Sequence, residues 1–177
     1  RPALFAAARR LYRLSKENQK VDAEREKGYQ QRDMEFFTQG LQAIERRYDP
    51  VVDKAEWMVF LQGYLTQPKA QRVAAFDKAL GINSDTSERQ LSKKLDNFYA
   101  KTVLNQVETR LALMTATLDE LEKNSDPFMQ LAVALYDEDM AQENAKKDRD
   151  GRYALLEPQY MNAIIASQKA QGFTAYP

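Results

Sequence analysis

Between Lys146 and Glu157 the chain comes close to the spacing of a calcium-binding loop. With Gly151 at the sixth position, Asp148 and Asp150 fall at the third and fifth and Glu157 at the twelfth. The first position, which has to supply an oxygen ligand, holds Lys146, and a cation there opposes a divalent ion. The stretch reads as a charged helical segment, and no metal ligand is assigned to it. Asp137, Glu138 and Asp139 are consecutive acids, and on a helix consecutive side chains diverge rather than converge on one ion. The chain has no histidine and no cysteine. A Ser-His-Asp triad, a Cys-His pair, a His-ligated or thiolate metal site and a disulfide are therefore all excluded within it. A pair of carboxylates is still possible chemistry among 26 acidic residues, but no spacing singles one out. No glycine-rich phosphate loop or nucleophile elbow is present. No catalytic residue and no cofactor is assigned.

The charges balance, 26 basic against 26 acidic. Arg9, Arg10 and Arg13 form one small basic group and Arg46 with Arg47 another. Without a net excess of Lys and Arg they read as surface or interface charge rather than a nucleic-acid footprint. No apolar run approaches the ~20 residues that cross a bilayer.

The elements that would position these residues are helices. Gly and Pro number six each and sit at punctuation points, and alternation of the kind that marks strands is absent. Leu4, Ala8, Leu11 and Ser15 mark one helical face after Pro2. Phe37, Leu41, Ile44 and Tyr48 mark another at 4-3-4 spacing. Asp49-Pro50 is a cap followed by a first-turn proline, opening a helix that carries Trp57, Phe60, Leu61 and Tyr64. Pro68 restarts the chain, Val73, Phe76 and Leu80 give a further helix, and Gly81 stops it. Asn83 to Ser87 is a loop rich in capping residues. Leu91, Leu95 and Phe98 mark the next helix, and Val107, Leu111, Met114 and Leu118 another. Ser125-Asp126-Pro127 repeats the cap-plus-proline device and opens a long segment reaching about Ala170, with Gly172 as its stop and a kink or restart expected at Pro158. Phe173 to Pro177 reads as an extended exit segment.

Residues 2–47 and 127–170 stand out by length, each spanning roughly 65–70 Å if helical throughout. Both are apolar at their ends and polar in the middle. Paired antiparallel, they would set Leu4–Leu14 beside Tyr153–Ile165 and Phe36–Tyr48 beside Phe128–Met140. The expected fold is thus all-α, a single helical domain over 1–177: a bundle built on two long antiparallel helices joined by several short ones. Gly28 makes a break in the first of them plausible.

The polar middle of the first segment, Ser15 to Asp33, has two readings. It is either a solvated spacer or a surface that packs on a partner. Ion pairs that would support the spacer are poor, since Asp22 faces Glu26 and Glu24 faces Gly28 at helical spacing.

Two groups of residues carry a resemblance that runs the length of the chain. One is Arg1-Pro-Ala-Leu, Leu11-Tyr-Arg-Leu14, Asp22-Ala-Glu-Arg-Glu26, Gly28-Tyr-Gln30, Arg32-Asp33 and Arg46-Arg-Tyr-Asp-Pro50. The other is Ser125-Asp-Pro127, Leu131-Ala-Val-Ala-Leu-Tyr136, Pro158-Gln-Tyr-Met161, Gly172 and Tyr176-Pro177. Together they resemble the bacterial chymotrypsin-like serine dipeptidyl aminopeptidases, which insert a helical domain into a double β-barrel. Val21 departs from that pattern, where a proline precedes the position of Asp22, and helix continuity there stays open.

The resemblance implies that residues 1–177 are the C-terminal part of a helical cap. The cap would cover the cleft of an enzyme that removes dipeptides from peptide N-termini, and 173–177 would lead back to the barrel. The implied partners are the catalytic barrel of the same polypeptide and, in the intact enzyme, peptide N-termini. The parent would be periplasmic or secreted and able to form a homodimer. The triad would belong to the barrel, as would the pocket that sets dipeptide preference. Under this resemblance Asp22, Glu24, Arg25, Glu26, Tyr29 and Arg32 become the candidates for touching the barrel or lining the cleft. The competing class is a helical adaptor or scaffolding domain that binds protein partners along its hairpin.

Overall fold

A computed structural model describes residues 2–172. Among them there are eight α-helices and no strand: α1 (Ala3–Glu17), α2 (Met34–Gln42), α3 (Pro50–Leu65), α4 (Ala74–Leu80), α5 (Glu88–Lys101), α6 (Val107–Ala112), α7 (Leu118–Glu122) and α8 (Pro127–Ala170). Short 3-10 turns connect several of them. The all-α class is as expected. The expected exit segment, 173–177, lies outside the described residues.

Helix starts follow local chemistry. Asp49 Oδ1 accepts the N–H groups of Val51 and Val52 at 2.8 and 3.0 Å, with Pro50 as the first helical residue of α3. Ser87 and Gln90 form a reciprocal capping box on α5, as Thr117 and Glu120 do on α7. Asp126 Oδ1 takes the N–H groups of Phe128 and Met129 at 2.9 and 3.3 Å ahead of Pro127 in α8. At the end of α4 Gly81 turns left-handed at φ +61°, which lets the Ile82 N–H reach back to the Asp77 carbonyl at 2.7 Å.

The chain divides into two compact units, with the boundary in sequence between Tyr136 and Asp137. The first holds the apolar core. Leu4, Ala7, Ala8, Leu11 and Leu14 of α1, Phe37 and Leu41 of α2, Trp57 and Leu61 of α3, Leu91 and Leu95 of α5, and Phe128, Leu131 and Leu135 at the start of α8 are all buried. Trp57 is the hub, with the rings of Phe5, Phe76 and Phe128 centred 5.2, 6.3 and 6.4 Å from it. Among the described residues, the second unit is the remainder of α8.

Three expectations about helix length are corrected. Residues 2–47 are not one long helix. α1 ends at Glu17, and residues 18–33 carry only two single 3-10 turns before α2 begins. The chain there uses φ +94° at Gly28, which an L side chain resists, and extended backbone at Val21, φ −64° and ψ 148°. The bundle is therefore not a hairpin of two long helices, because only α8 is long. Conversely, α8 does not restart at Pro158: the helix continues through it to Ala170. The span expected as one helix from Val107 to Leu118 divides at the 3-10 turn Leu113–Thr115 and restarts at the Thr117 cap.

Candidate functional site

The candidate residues all fall in the segment between α1 and α2. This segment is built around two carboxylates. The first, Glu17, is the last residue of α1 and continues the helix's buried stripe from Leu4 through Leu11 and Leu14. Its side chain is 2% exposed. Oε2 accepts the backbone N–H of Glu26 at 3.0 Å and the Lys20 ammonium at 2.8 Å, while the Arg13 guanidinium lies 3.6 Å from Oε1. Burial pushes the Glu17 pKa up. The Lys20 and Glu26 hydrogen bonds and the charges of Lys20 and Arg13 outweigh it, so the carboxyl sits below its usual value. The second carboxylate, Asp33, accepts the N–H groups of Gly28 at 2.9 Å and Gln30 at 3.3 Å through Oδ2. Gln30 and Asp33 form a capping box on the turn that leads into α2. A segment without helix or strand has to pair its backbone N–H groups elsewhere. Here turn carbonyls take those of Glu24, Arg25, Tyr29 and Asp33, and side-chain oxygens take those of Glu26, Gly28, Gln30 and Gln31.

Four of the six candidates are engaged within this frame. Asp22 Oδ1 accepts the Gln31 N–H at 2.7 Å and pairs with Arg25 Nη1 at 3.3 Å. Arg25 Nε also donates to the Lys20 carbonyl at 3.3 Å, and the Arg25 carbonyl accepts from Gln30 Nε2 at 3.2 Å. Glu26 lies 3.8 Å from Arg13 Nη2. The Tyr29 ring lies under the Arg13 guanidinium at 5.2 Å and 5.8 Å from the Phe37 ring, which joins the segment to the core. The other two, Glu24 and Arg32, are exposed, and their side chains have no ion pair or hydrogen bond among the described residues.

The residues that shape the segment, Glu17, Asp33 and Arg13, were not singled out as site residues. One signal was available: Glu17 places a charge on the apolar face of α1, where only a partnered acid is tolerated. The basic group Arg9, Arg10 and Arg13 is used on aromatic rings. Arg9 lies over Phe5 at 5.7 Å, Arg10 over Phe37 at 4.4 Å and Arg13 over Tyr29. Arg10 also passes so close to the α2 backbone that a Cβ on Gly40 would stand 2.8 Å from its Nη1.

Elsewhere the chemistry is structural. Arg110 is fully buried, donating from Nε to the Leu41 carbonyl at 3.1 Å, from Nη1 to the Leu104 carbonyl at 2.7 Å and from Nη2 to Glu45 Oε2 at 3.0 Å. Asp53 of α3 accepts the Ala3 N–H and, at 2.6 Å, the Tyr99 hydroxyl, which ties α1, α3 and α5 together. The 146–157 stretch lies wholly within α8, so it forms no calcium loop. Among the described residues no cluster of three or more Asp or Glu is placed to hold a metal ion, and no helix is long and apolar enough to cross a membrane.

Comparison with known proteins gives a family. The model of the family described as Peptidase S46 matches residues 1–177. An Asp/Glu-specific dipeptidyl-peptidase of Shewanella putrefaciens is 47% identical over 174 residues, covering 98% of this chain. The chain spans 23% of the length of that relative.

Proposed function

The chain belongs to the peptidase S46 family, and from that premise we propose that residues 1–177 are part of the helical cap of a dipeptidyl aminopeptidase. The cap covers the catalytic cleft of its own polypeptide and limits cleavage to the release of dipeptides from peptide N-termini. The observation that carries this reading is the end-to-end similarity to a dipeptidyl-peptidase more than four times as long as the matched region. The absence of histidine supports the division of labour, since a serine triad then has to stand on another part of the polypeptide.

The segment 18–33 is the part of the cap suited to facing the cleft. Its backbone is fixed by Glu17 and Asp33, and a fixed backbone holds outward-pointing charges in place without further ordering on contact. Glu24 and Arg32 are charges it presents without an ion pair or hydrogen bond among the described residues, and the exposed Lys27 stands between them in sequence. Asp22, Arg25, Glu26 and Tyr29 act by positioning them. The enzyme works in the periplasm or outside the cell.

Dipeptide release from fluorogenic dipeptidyl substrates, acidic and apolar, tests the reading on the full-length polypeptide. Release that a serine-directed inhibitor abolishes is expected. A full-length polypeptide that releases no dipeptide contradicts the peptidase reading and favours a helical adaptor in its place.

A further inference from the structure

Within the second unit, α8 changes character along its length. From Glu143 to Arg152 it is charged and laced by ion pairs one turn apart: Lys147 with Glu143 at 2.8 Å, Arg152 with Asp148 at 3.0 Å, and Lys146 with Asp150. Such a stretch is self-sufficient in water. From Tyr153 to Ile165 the only charge is Glu157. Tyr153, Leu155, Leu156, Tyr160, Met161 and Ile165 are all exposed there, Leu155 to 74% and Tyr160 to 67%.

These side chains do not make one stripe. At 3.6 residues per turn Tyr153, Leu156 and Tyr160 share a face, Leu155 points the opposite way, and Met161 and Ile165 lie between. A helix that is apolar around most of its circumference is stable in water only when it is enclosed. Its own unit supplies no other element among the described residues.

We infer that Tyr153–Ile165 is an insertion element, enclosed by an apolar sleeve from the same polypeptide outside residues 1–177, while 143–152 stays in water. Two observations select that occupant over a second copy. Residues 1–177 match only 23% of the relative's length, so more than three quarters of such a polypeptide is there to supply the sleeve. A two-fold contact between copies buries one self-complementary patch, whereas here the apolar arc from Leu156 through Tyr153 to Ile165 spans about half of the helix and Leu155 stands outside it. The inference does not depend on peptidase activity, so a polypeptide that releases no dipeptide leaves it standing.

Hydroxyl-radical footprinting of the full-length polypeptide tests it, with oxidation of Tyr153, Tyr160 and Met161 read by mass spectrometry. The expected result is oxidation at least tenfold slower in the native polypeptide than in the denatured one, unchanged on dilution to the monomer. Slowing of less than tenfold overturns the inference. Protection that disappears on dilution to the monomer also overturns it, by assigning the face to a second copy.

Discussion

The carboxylate of Glu17, buried at the end of α1, accepts the backbone N–H of Glu26 at 3.0 Å, nine residues further on. That bond closes the 18–33 segment onto α1 and decides where its outward charges stand.

Replacing Glu17 with Ala removes the acceptor of that N–H and the partner of Lys20 and Arg13. Loss of a buried, charge-assisted acceptor costs about 1.5–3 kcal/mol. The loss should be local. Hydrogen exchange of residues 18–33 in the full-length polypeptide should speed up by an order of magnitude or more, with α3 and α5 unchanged. Acid should mimic the substitution. The folded Glu17 pKa is depressed, so its contribution is fully present above the unfolded value of about 4.3 and lost as pH falls through the folded pKa. The protection of residues 18–33, relative to the intrinsic exchange rate at each pH, should therefore fall below about pH 4.

Arg110 and Glu45 should behave unequally although they are partners. Arg110 is fully buried and serves two backbone carbonyls besides Glu45. Lysine cannot reproduce the planar fork that reaches all three, so Arg110→Lys should destabilise the first unit by about 2–3 kcal/mol. The Glu45 side chain is 56% exposed, and Glu45→Gln should cost less than about 1 kcal/mol. Chemical denaturation of the two variants checks the asymmetry.

Alkali should destabilise the first unit. Burial, then the charges of Asp53 and Asp49, push the Tyr48 pKa up to about 12. Burial, then the Asp77 hydrogen bond, take Tyr64 to about 12 as well. Tyr99 is also raised, by burial first and the Asp53 hydrogen bond second. The unfolded chain releases these protons near pH 10 and the folded chain does not, so the stability they confer is whole below about pH 10 and falls as pH rises above it. Unfolding followed by tyrosinate absorbance should show the three hydroxyls titrating with the loss of structure.

Much of the fold was legible because it is decided locally. Asp49-Pro50, Ser125-Asp126-Pro127 and Gly81 set helix ends through bonds that reach only a few residues. The Thr117–Glu120 box carries the same kind of local signal, and it divides a helix whose apolar spacing suggested continuity. The break at 18–33 was harder to read. Gly28 was a local hint and Val21 left continuity open, but the break is held by Glu17 and Asp33, whose partners lie up to nine residues away. Pro158 does not restart the helix, because a long helix tolerates one missing N–H when the turns on either side are intact. Of the candidate site, the segment was legible from its lack of an apolar face. The division between residues that build it and residues that face outward was not, because it depends on which side chains the folded backbone brings together.

Steady-state kinetics of the full-length Glu24→Ala, Arg32→Ala double variant test the proposal that the 18–33 segment faces the cleft through these two charges. Two lost surface charge contacts amount to about 1 kcal/mol, or roughly fivefold in KM. The expected result is that rise for dipeptidyl substrates with thermal unfolding unchanged, because neither side chain supports the segment. Kinetics and unfolding both identical to the parent would contradict it.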